Sequence, residues 1–291
     1  MFRYDHFRIK ANDLKLALNI SDREAKDEVV ALFAKACGLN KLKLLMAPEY
    51  LSDSGSIKQF EALFHRRLCG EPIEYITEET KFYGIDFFVN SSVLVPRTDT
   101  ETLLNALIDR VQSNNQPKTL LELGVGSGIL SISALKHITG LEVVATDISS
   151  DAIEVATRNA DKILENPDSI RFLLGDWFGP VIGCFDFIIS NPPYIAEGDV
   201  HLDEISMSFE PKIALTSGPD GFRALSLIID KSPEYLNSDG WLILEHGFDQ
   251  SSRVTAAMRE AGFEEVFTDC DLSGRPRVSG GKMPSQGILD T

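Results

Sequence analysis

From Pro96 onward the chain alternates short apolar runs of strand length with amphipathic stretches of helix length, and no other feature constrains its fold as much. Thr119 to Leu123, Glu142 to Thr146, Ile170 to Leu174, Phe185 to Ser190, Trp241 to Leu244 and Phe263 to Thr268 read as strands, the last of them as the final strand. Between them, Thr102 to Val111, Ile129 to Leu135, Asp151 to Leu164, Phe222 to Leu236 and Ser251 to Ala261 read as helices. Such alternation builds an α/β domain whose sheet is mostly parallel and covered on both faces. Ligands of these sheets sit beyond the carboxyl ends of the strands.

The first seventy residues have a different grammar. Ser21 with Glu24 forms a capping box, and Ala25, Val29, Leu32, Phe33 and Ala36 follow at helical spacing up to Gly38. Ser56 with Gln59 opens a similar stretch through Ile57, Phe60, Phe64 and Leu68, which ends at Gly70 and Pro72. Leu42, Leu44, Leu45 and Met46 suggest a short helix between them. Tyr75-Ile76-Thr77 and Phe87-Phe88-Val89, with Gly84 between, read as a β-hairpin. The expected organisation is a helical domain over residues 1–72, a hairpin linker over 73–95 and an α/β domain over 96–291.

Composition narrows the class. Of 291 residues, 43% are hydrophobic and 25% charged, values that exclude a disordered or fibrous chain. No run approaches the roughly 18 apolar residues of a membrane span, and Met1-Phe2-Arg3-Tyr4-Asp5-His6 lacks the apolar core of a signal peptide. Cys37, Cys69, Cys184 and Cys270 lie far apart with no C-x-x-C pair, against both a disulfide framework and a zinc site. A soluble, cytoplasmic protein without a bound metal is expected. Residues 1–75 carry 12 basic and 11 acidic side chains, whereas 76–291 carry 16 basic against 33 acidic, a net of −17. So acidic a region repels phosphate backbones, and direct nucleic-acid or membrane partners are not expected.

Three motifs carry chemistry. The first is Glu122-Leu123-Gly124-Val125-Gly126-Ser127-Gly128, joining a strand to a helix. Its glycines let the backbone approach a ligand and aim amides at it. The third glycine comes one residue earlier than in the dinucleotide fingerprint, with Ile129 in the sixth position, and an acidic residue precedes the turn. That spacing suits S-adenosylmethionine rather than NAD; the bland alternative is a plain tight turn.

The second lies at two further strand ends. Asp147 stands 19 residues beyond Gly128, where a carboxylate can accept both hydroxyls of a ribose. Asp176-Trp177 follows the third strand, where an acidic acceptor beside an apolar face would suit an adenine ring. A loop with a half-buried tryptophan explains that pair nearly as well.

The third is Asn191-Pro192-Pro193-Tyr194, at the end of the strand Phe185 to Ser190. The prolines fix the backbone and supply no amide donors. The Asn191 side-chain oxygen and the Pro192 carbonyl accept, while Tyr194 offers a flat ring. Two acceptors and a stacking face match a planar NH2 group.

These residues resemble those of methyltransferases acting on planar nitrogens, and the surrounding pattern is similar to the HemK/PrmC family of release-factor glutamine methyltransferases. The resemblance runs through Arg66-Arg67, Gly70-Glu71-Pro72-Ile73-Glu74-Tyr75-Ile76, Val95-Pro96-Arg97 and Thr100-Glu101. It continues through Phe209-Glu210-Pro211, Ala214-Leu215, Gly218 to Gly221, Leu244-Glu245-His246-Gly247, Gln250, Asp271-Leu272-Ser273-Gly274 and Arg277. It covers nearly the whole chain. Val125, where threonine is usual, and Thr98-Asp99, where proline and glutamate are common, depart from the pattern.

The resemblance implies a class I S-adenosylmethionine-dependent methyltransferase fold, with a doubly wound, mostly parallel seven-stranded sheet, a small helical amino-terminal domain and a hairpin linker. It implies methyl transfer to the glutamine amide in the Gly-Gly-Gln loop of class 1 peptide chain release factors, leaving S-adenosylhomocysteine. Glu122, Gly124, Val125, Gly126, Ser127, Gly128, Asp147, Asp176, Trp177 and Asn191 are then expected to hold the cofactor. Asn191, Pro192, Pro193 and Tyr194 would hold the amide, with Asn191, Pro192 and Tyr194 as the catalytic set and the tyrosine acting through its ring. No catalytic histidine is expected, and His246 is read as structural. Two rivals stay open at this level. One is an amino-methyltransferase of adenine, cytosine or ribosomal RNA guanine, and the other a non-catalytic cofactor-binding adaptor.

Overall fold

A computed structural model describes residues 4–39, 54–111 and 118–285. The chain divides into two compact units. One holds the described residues up to Glu79 together with Asp203–Phe209, and the other runs from Thr80, apart from that insertion.

The first unit is helical. Helices α1 (Tyr4–Leu18), α2 (Asp22–Ala36), α3 (Ser54–Leu68) and the short α4 (Ile73–Thr77) follow in order. The Ser21 hydroxyl caps α2 by accepting from the Glu24 amide at 3.1 Å. Helix α3 begins at Ser54, so Ser56 lies inside it rather than at its cap. The expected helix over Leu42 to Met46 lies outside the described residues. Leu14, Val29, Leu32, Phe33, Phe60, Phe64 and Ile76 form the core. A buried ion pair ties α2 to α3, with Arg67 donating to Glu28 at 2.8 and 3.0 Å.

Residues 75–77 correct the sequence reading. They belong to α4 and not to a strand, because the Pro72 carbonyl accepts from the Tyr75 and Ile76 amides and both side chains are buried. The hairpin itself pairs β1 (Thr80–Phe82) with β2 (Ile85–Phe87) across Tyr83-Gly84. Both turn residues have positive φ, 49° and 78°, as a two-residue turn matched to strand twist requires. Phe88 and Val89 follow β2 rather than extending it.

In the second unit, α5 (Glu101–Val111) leads into β3 (Lys118–Leu123), α6 (Ile129–His137), β4 (Leu141–Asp147), α7 (Ser150–Ile163) and β5 (Ile170–Leu174). Then come β6 (Phe185–Ser190), α8 (Arg223–Lys231), β7 (Leu236–Glu245), α9 (Ser251–Glu260), β8 (Glu264–Cys270) and β9 (Pro276–Lys282). These seven strands form one sheet in the order β5-β4-β3-β6-β7-β9-β8. Pairs among β3 to β7 are parallel, and β9 runs antiparallel between β7 and β8. The last strand is therefore Pro276–Lys282, not the run ending at Thr268.

Both faces are buried, which explains the near-continuous apolar strands. Leu120, Phe187, Ile189 and Ile243 pack with Leu103, Leu107, Ile132 and Ala156. Their neighbours Leu121, Ile188, Leu242 and Leu244 point the other way, against Leu225, Ile228, Val254 and Met258. The chain departs from β3 first towards β5 and later towards β7, so a crevice opens where β3 and β6 end side by side. Among the described residues no helix is long and apolar enough to cross a membrane.

Candidate active site

The ends of β3, β4 and β6 line a cavity of about 390 Å³. That lies within the roughly 300–1,000 Å³ typical of small-molecule sites. Most residues expected at the site meet here. Glu122, Gly124, Val125, Gly126, Ser127, Asp147, Asp176, Trp177, Asn191, Pro192 and Pro193 all line it. Gly128 and Tyr194 are not part of the lining.

The glycine turn is built for close approach. Gly124, Gly126 and Gly128 have φ of 74°, 54° and 81°, all left-handed. A Cβ at Gly126 would meet nothing within 4 Å, so the backbone there borders open space. Asp147 spans the turn, accepting from the Gly126 amide and from the Ser149 amide, both at 2.9 Å. Trp177 takes a left-handed conformation (φ 46°) that sets its ring against Gly124, whose Cβ position lies 3.6 Å from Cζ3.

Glu122 is 1% exposed. Burial pushes its carboxyl up to about 8, although hydrogen bonds from the Ser131 amide and hydroxyl pull the other way. The Ser131 amide bond, at 3.0 Å, anchors the first turn of α6 to the strand before it. Asn159 of α7 supports the same turn from behind. It is fully buried, donates to the Ser127 carbonyl, and exchanges hydrogen bonds with both the amide and the carbonyl of Phe88. The residue after the hairpin is thereby fastened to the glycine turn.

At the end of β6, the Asn191 side-chain nitrogen donates to the Thr100 hydroxyl at 3.2 Å. Its carbonyl end is thus the one left to accept from a ligand. The segment carrying Thr100 is held by Glu210, which accepts from the Val95 amide and the Arg97 guanidinium. Tyr194 uses its hydroxyl as well as its ring. Its hydroxyl donates to Glu245 Oε1 at 3.2 Å, and burial beside that carboxyl raises its pKa. The tyrosine carbonyl accepts from Gln250 Nε2 at 3.1 Å, and Gly221 abuts it so closely that a Cβ would lie 2.3 Å from the oxygen. Gly221 and Gln250 thus hold the exit of the Asn-Pro-Pro-Tyr segment.

Glu245, Thr100 and Arg277 stood in the sequence pattern without a role. Glu245 is 1% exposed, and burial raises its carboxyl to about 7, against the pull of Thr100, Arg277 and Tyr194. Arg277 pairs with Asp99 and Asp271, each at 3.2 Å. His246 is fully buried, with ring nitrogens 2.9 Å from the Gly247 carbonyl and 2.8 Å from the Ser279 hydroxyl. Burial lowers its pKa, and it does not line the cavity.

Two family models match the chain, the PrmC N-terminal domain over residues 16–77 and the Methyltransferase small domain over residues 97–210. The release factor glutamine methyltransferase of Aliivibrio fischeri is 35% identical over 276 residues, 94% of this chain and 95% of that protein. The enzyme of that name from Yersinia pestis is 36% identical over 262 residues, 90% of this chain and 93% of that protein. A solved methyltransferase from Pyrococcus furiosus shares the fold, with a TM-score of 0.51 and 16% identity over 79% of this chain and 99% of that one. Sheet order, glycine turn and family match together define a class I S-adenosylmethionine-dependent methyltransferase. Within that class, the chain belongs to the release factor glutamine methyltransferase family.

Proposed function

We propose that this enzyme methylates the side-chain amide nitrogen of the glutamine in the Gly-Gly-Gln motif of class 1 peptide chain release factors. The observation that carries the reading is Asn191, which lines the same cavity as the glycine turn and has its nitrogen occupied by Thr100. When bound, S-adenosylmethionine supplies a methyl group on a sulfonium and leaves as S-adenosylhomocysteine. The open backbone at Gly126, the Asp147 carboxylate and the Trp177 ring fit such a cofactor. In this reading Asp147 accepts from the ribose, Asp176 and Trp177 border the adenine, and Glu122 holds the turn.

An amide nitrogen is a poor nucleophile, because its lone pair is delocalised. Asn191 Oδ1 and the Pro192 carbonyl accept its two hydrogens, aim the nitrogen, and stabilise the positive charge that grows on it. The product nitrogen is acidic enough to lose its proton to water, so no base is assigned. The helical amino-terminal domain supplies contacts outside the pocket, since a three-residue loop offers too little surface to select one protein.

The −17 of residues 76–291 disfavours the nucleic-acid rival, and the presence of Asp147 and Asn191 in one cavity disfavours a non-catalytic adaptor. Incubation with labelled S-adenosylmethionine and either release factor, tRNA, ribosomal RNA or DNA tests all three. Label should enter release factor and map to its Gly-Gly-Gln glutamine; label in nucleic acid alone, or in nothing, overturns the reading.

A further inference from the structure

We propose that Gln250 is a positioning residue for methyl transfer, because its side-chain amide fixes the peptide after Tyr194 and, through two prolines, the direction of the Pro192 carbonyl. The inference rests on Asn191 and Pro192 being the acceptors of the target NH2. Gln250 stands outside the cavity, at the amino-terminal cap of α9, and touches no reacting atom.

Three segments meet at this side chain: the exit of β6, the entry to α8 and the exit of β7. Gln250 Nε2 donates to the Tyr194 carbonyl at 3.1 Å and to the Gly221 carbonyl at 3.3 Å, while Oε1 accepts from the Gly247 amide at 2.9 Å. Carbonyls only accept and a backbone amide only donates, so each end of the glutamine amide faces partners of one kind. Turned over, it would set its oxygen against two carbonyl oxygens and its NH2 against an N–H. Backbone groups alone therefore fix its orientation, whatever the ionisation of the side chains nearby.

The peptide after Tyr194 is held on both edges. Its N–H, on Ile195, donates to the Leu215 carbonyl at 3.0 Å, and its oxygen accepts from Gln250. Upstream, Asn191 is tied to Thr100, and between these anchors lie Pro192 and Pro193. A proline ring holds φ near about −65°, so the segment has little freedom to absorb a movement at Tyr194 before it reaches the Pro192 carbonyl. The bond to Gly221 ties in a second stretch of the cavity wall, since Thr216, Ser217 and Gly218 line the cavity a few residues earlier. Gln250 thus sets the spacing of both stretches from the end of β7. A Pro192 carbonyl turned away from the target costs turnover rather than binding, because its oxygen acts on charge that develops as the methyl group arrives.

The full-length protein is compared as wild type, Gln250→Met and Gln250→Glu, with S-adenosylmethionine and a class 1 release factor. Methionine is close to glutamine in length and removes every one of these bonds. Glutamate keeps an oxygen for the Gly247 amide but turns the other towards two carbonyl oxygens. Both variants should lower kcat roughly 10- to 100-fold, while the KM for release factor and the Kd for S-adenosylmethionine stay within about twofold. Glutamate should do no better than methionine, since the donor end of the side chain carries the effect. Near-wild-type kcat in Gln250→Glu would leave only the tie to Gly247 and overturn the proposal. So would wild-type kcat in Gln250→Met, a loss confined to KM, or a loss of cofactor affinity and helical content in both variants, which marks a role in stability alone. A wild type that binds S-adenosylmethionine but methylates no release factor overturns the proposed function and the positioning role with it. An active wild type with equally active variants overturns the positioning role only.

Discussion

Gly126 and Asp147, 21 residues apart, are joined by a 2.9 Å hydrogen bond from the glycine amide to the carboxylate. One side chain therefore shapes the turn and borders the space beside it. Asp147→Ala should weaken S-adenosylmethionine binding by about 1.5–3 kcal/mol, the range for a hydrogen bond to a charged group. Asp147→Asn, which keeps one acceptor, should lose less. Calorimetry returning wild-type affinity for the alanine variant would take Asp147 out of the cofactor site.

Asn191→Ala should reduce turnover far more than release-factor binding, because its oxygen acts on charge that develops during the reaction. A loss on the order of a hundredfold in kcat is expected at saturating substrate. Wild-type turnover would contradict the acceptor role.

Tyr194 contributes more than a ring. Its hydroxyl donates to the buried Glu245, so Tyr194→Phe should cost about 1–3 kcal/mol of stability by leaving that carboxyl short of a partner. Tyr194→Ala should cost more, since the ring packs against the core on the β7 side as well. Urea denaturation in which the phenylalanine variant matches the wild type would show the hydroxyl to be idle.

Glu122 should make the enzyme less stable as the solution becomes more basic. Its carboxyl is raised from 4.5 to about 8 by burial, with Asp147 adding to the effect and Ser131 opposing it. Above the lower value the unfolded chain releases this proton while the folded chain keeps it, so stability falls with rising pH until the folded carboxyl also ionises near 8. Glu122→Gln should flatten the dependence of the denaturation midpoint between about pH 5 and pH 8. A wild-type slope in the glutamine variant would mean that Glu122 does not hold its proton.

The Glu28–Arg67 pair tests the role of the helical unit. Both side chains are nearly buried, at 8% and 11% exposure, and removing one leaves the other charge uncompensated. Arg67→Ala should destabilise this unit by about 3–5 kcal/mol. S-adenosylmethionine affinity should be unchanged, while kcat/KM for intact release factor falls. If helical content drops on this substitution and release factor is still methylated at the wild-type rate, recognition does not reside there.

Much of the architecture was legible because local pattern and global burial agree. The runs from Thr119 and Phe185 are interior strands in a sheet covered on both faces, and apolar residues facing both ways leave a continuous signal. The glycine turn, Asp147 and Asn191 were legible for another reason. Each stands at the end of a strand, so its place in a parallel sheet follows from chain order alone.

Where tertiary contacts overrode local preference, the sequence misled. Tyr75-Ile76-Thr77 has strand composition but forms α4, because Pro72 starts the turn and burial of Tyr75 and Ile76 rewards it. Pro276–Lys282 contains a proline, a serine and two glycines, yet it is an interior strand. Gly280 fits there because a Cβ would lie 2.4 Å from the Phe267 ring and 2.7 Å from the Leu242 carbonyl, a demand that the neighbouring strands create.

The amino-acid sequence by itself determined the layered α/β fold and the strand ends at which the cavity opens, since these follow from periodicity and from turn chemistry within a few residues. Only the tertiary structure decided how those residues are oriented and charged. Thr100, Asn191, Tyr194, Glu245 and Arg277 come from four separate stretches of chain, and burial raises the carboxyls of Glu122 and Glu245 above their ordinary range. Direction of hydrogen bonding and ionisation depend on the groups that surround a side chain in space, and a linear pattern does not encode those distances.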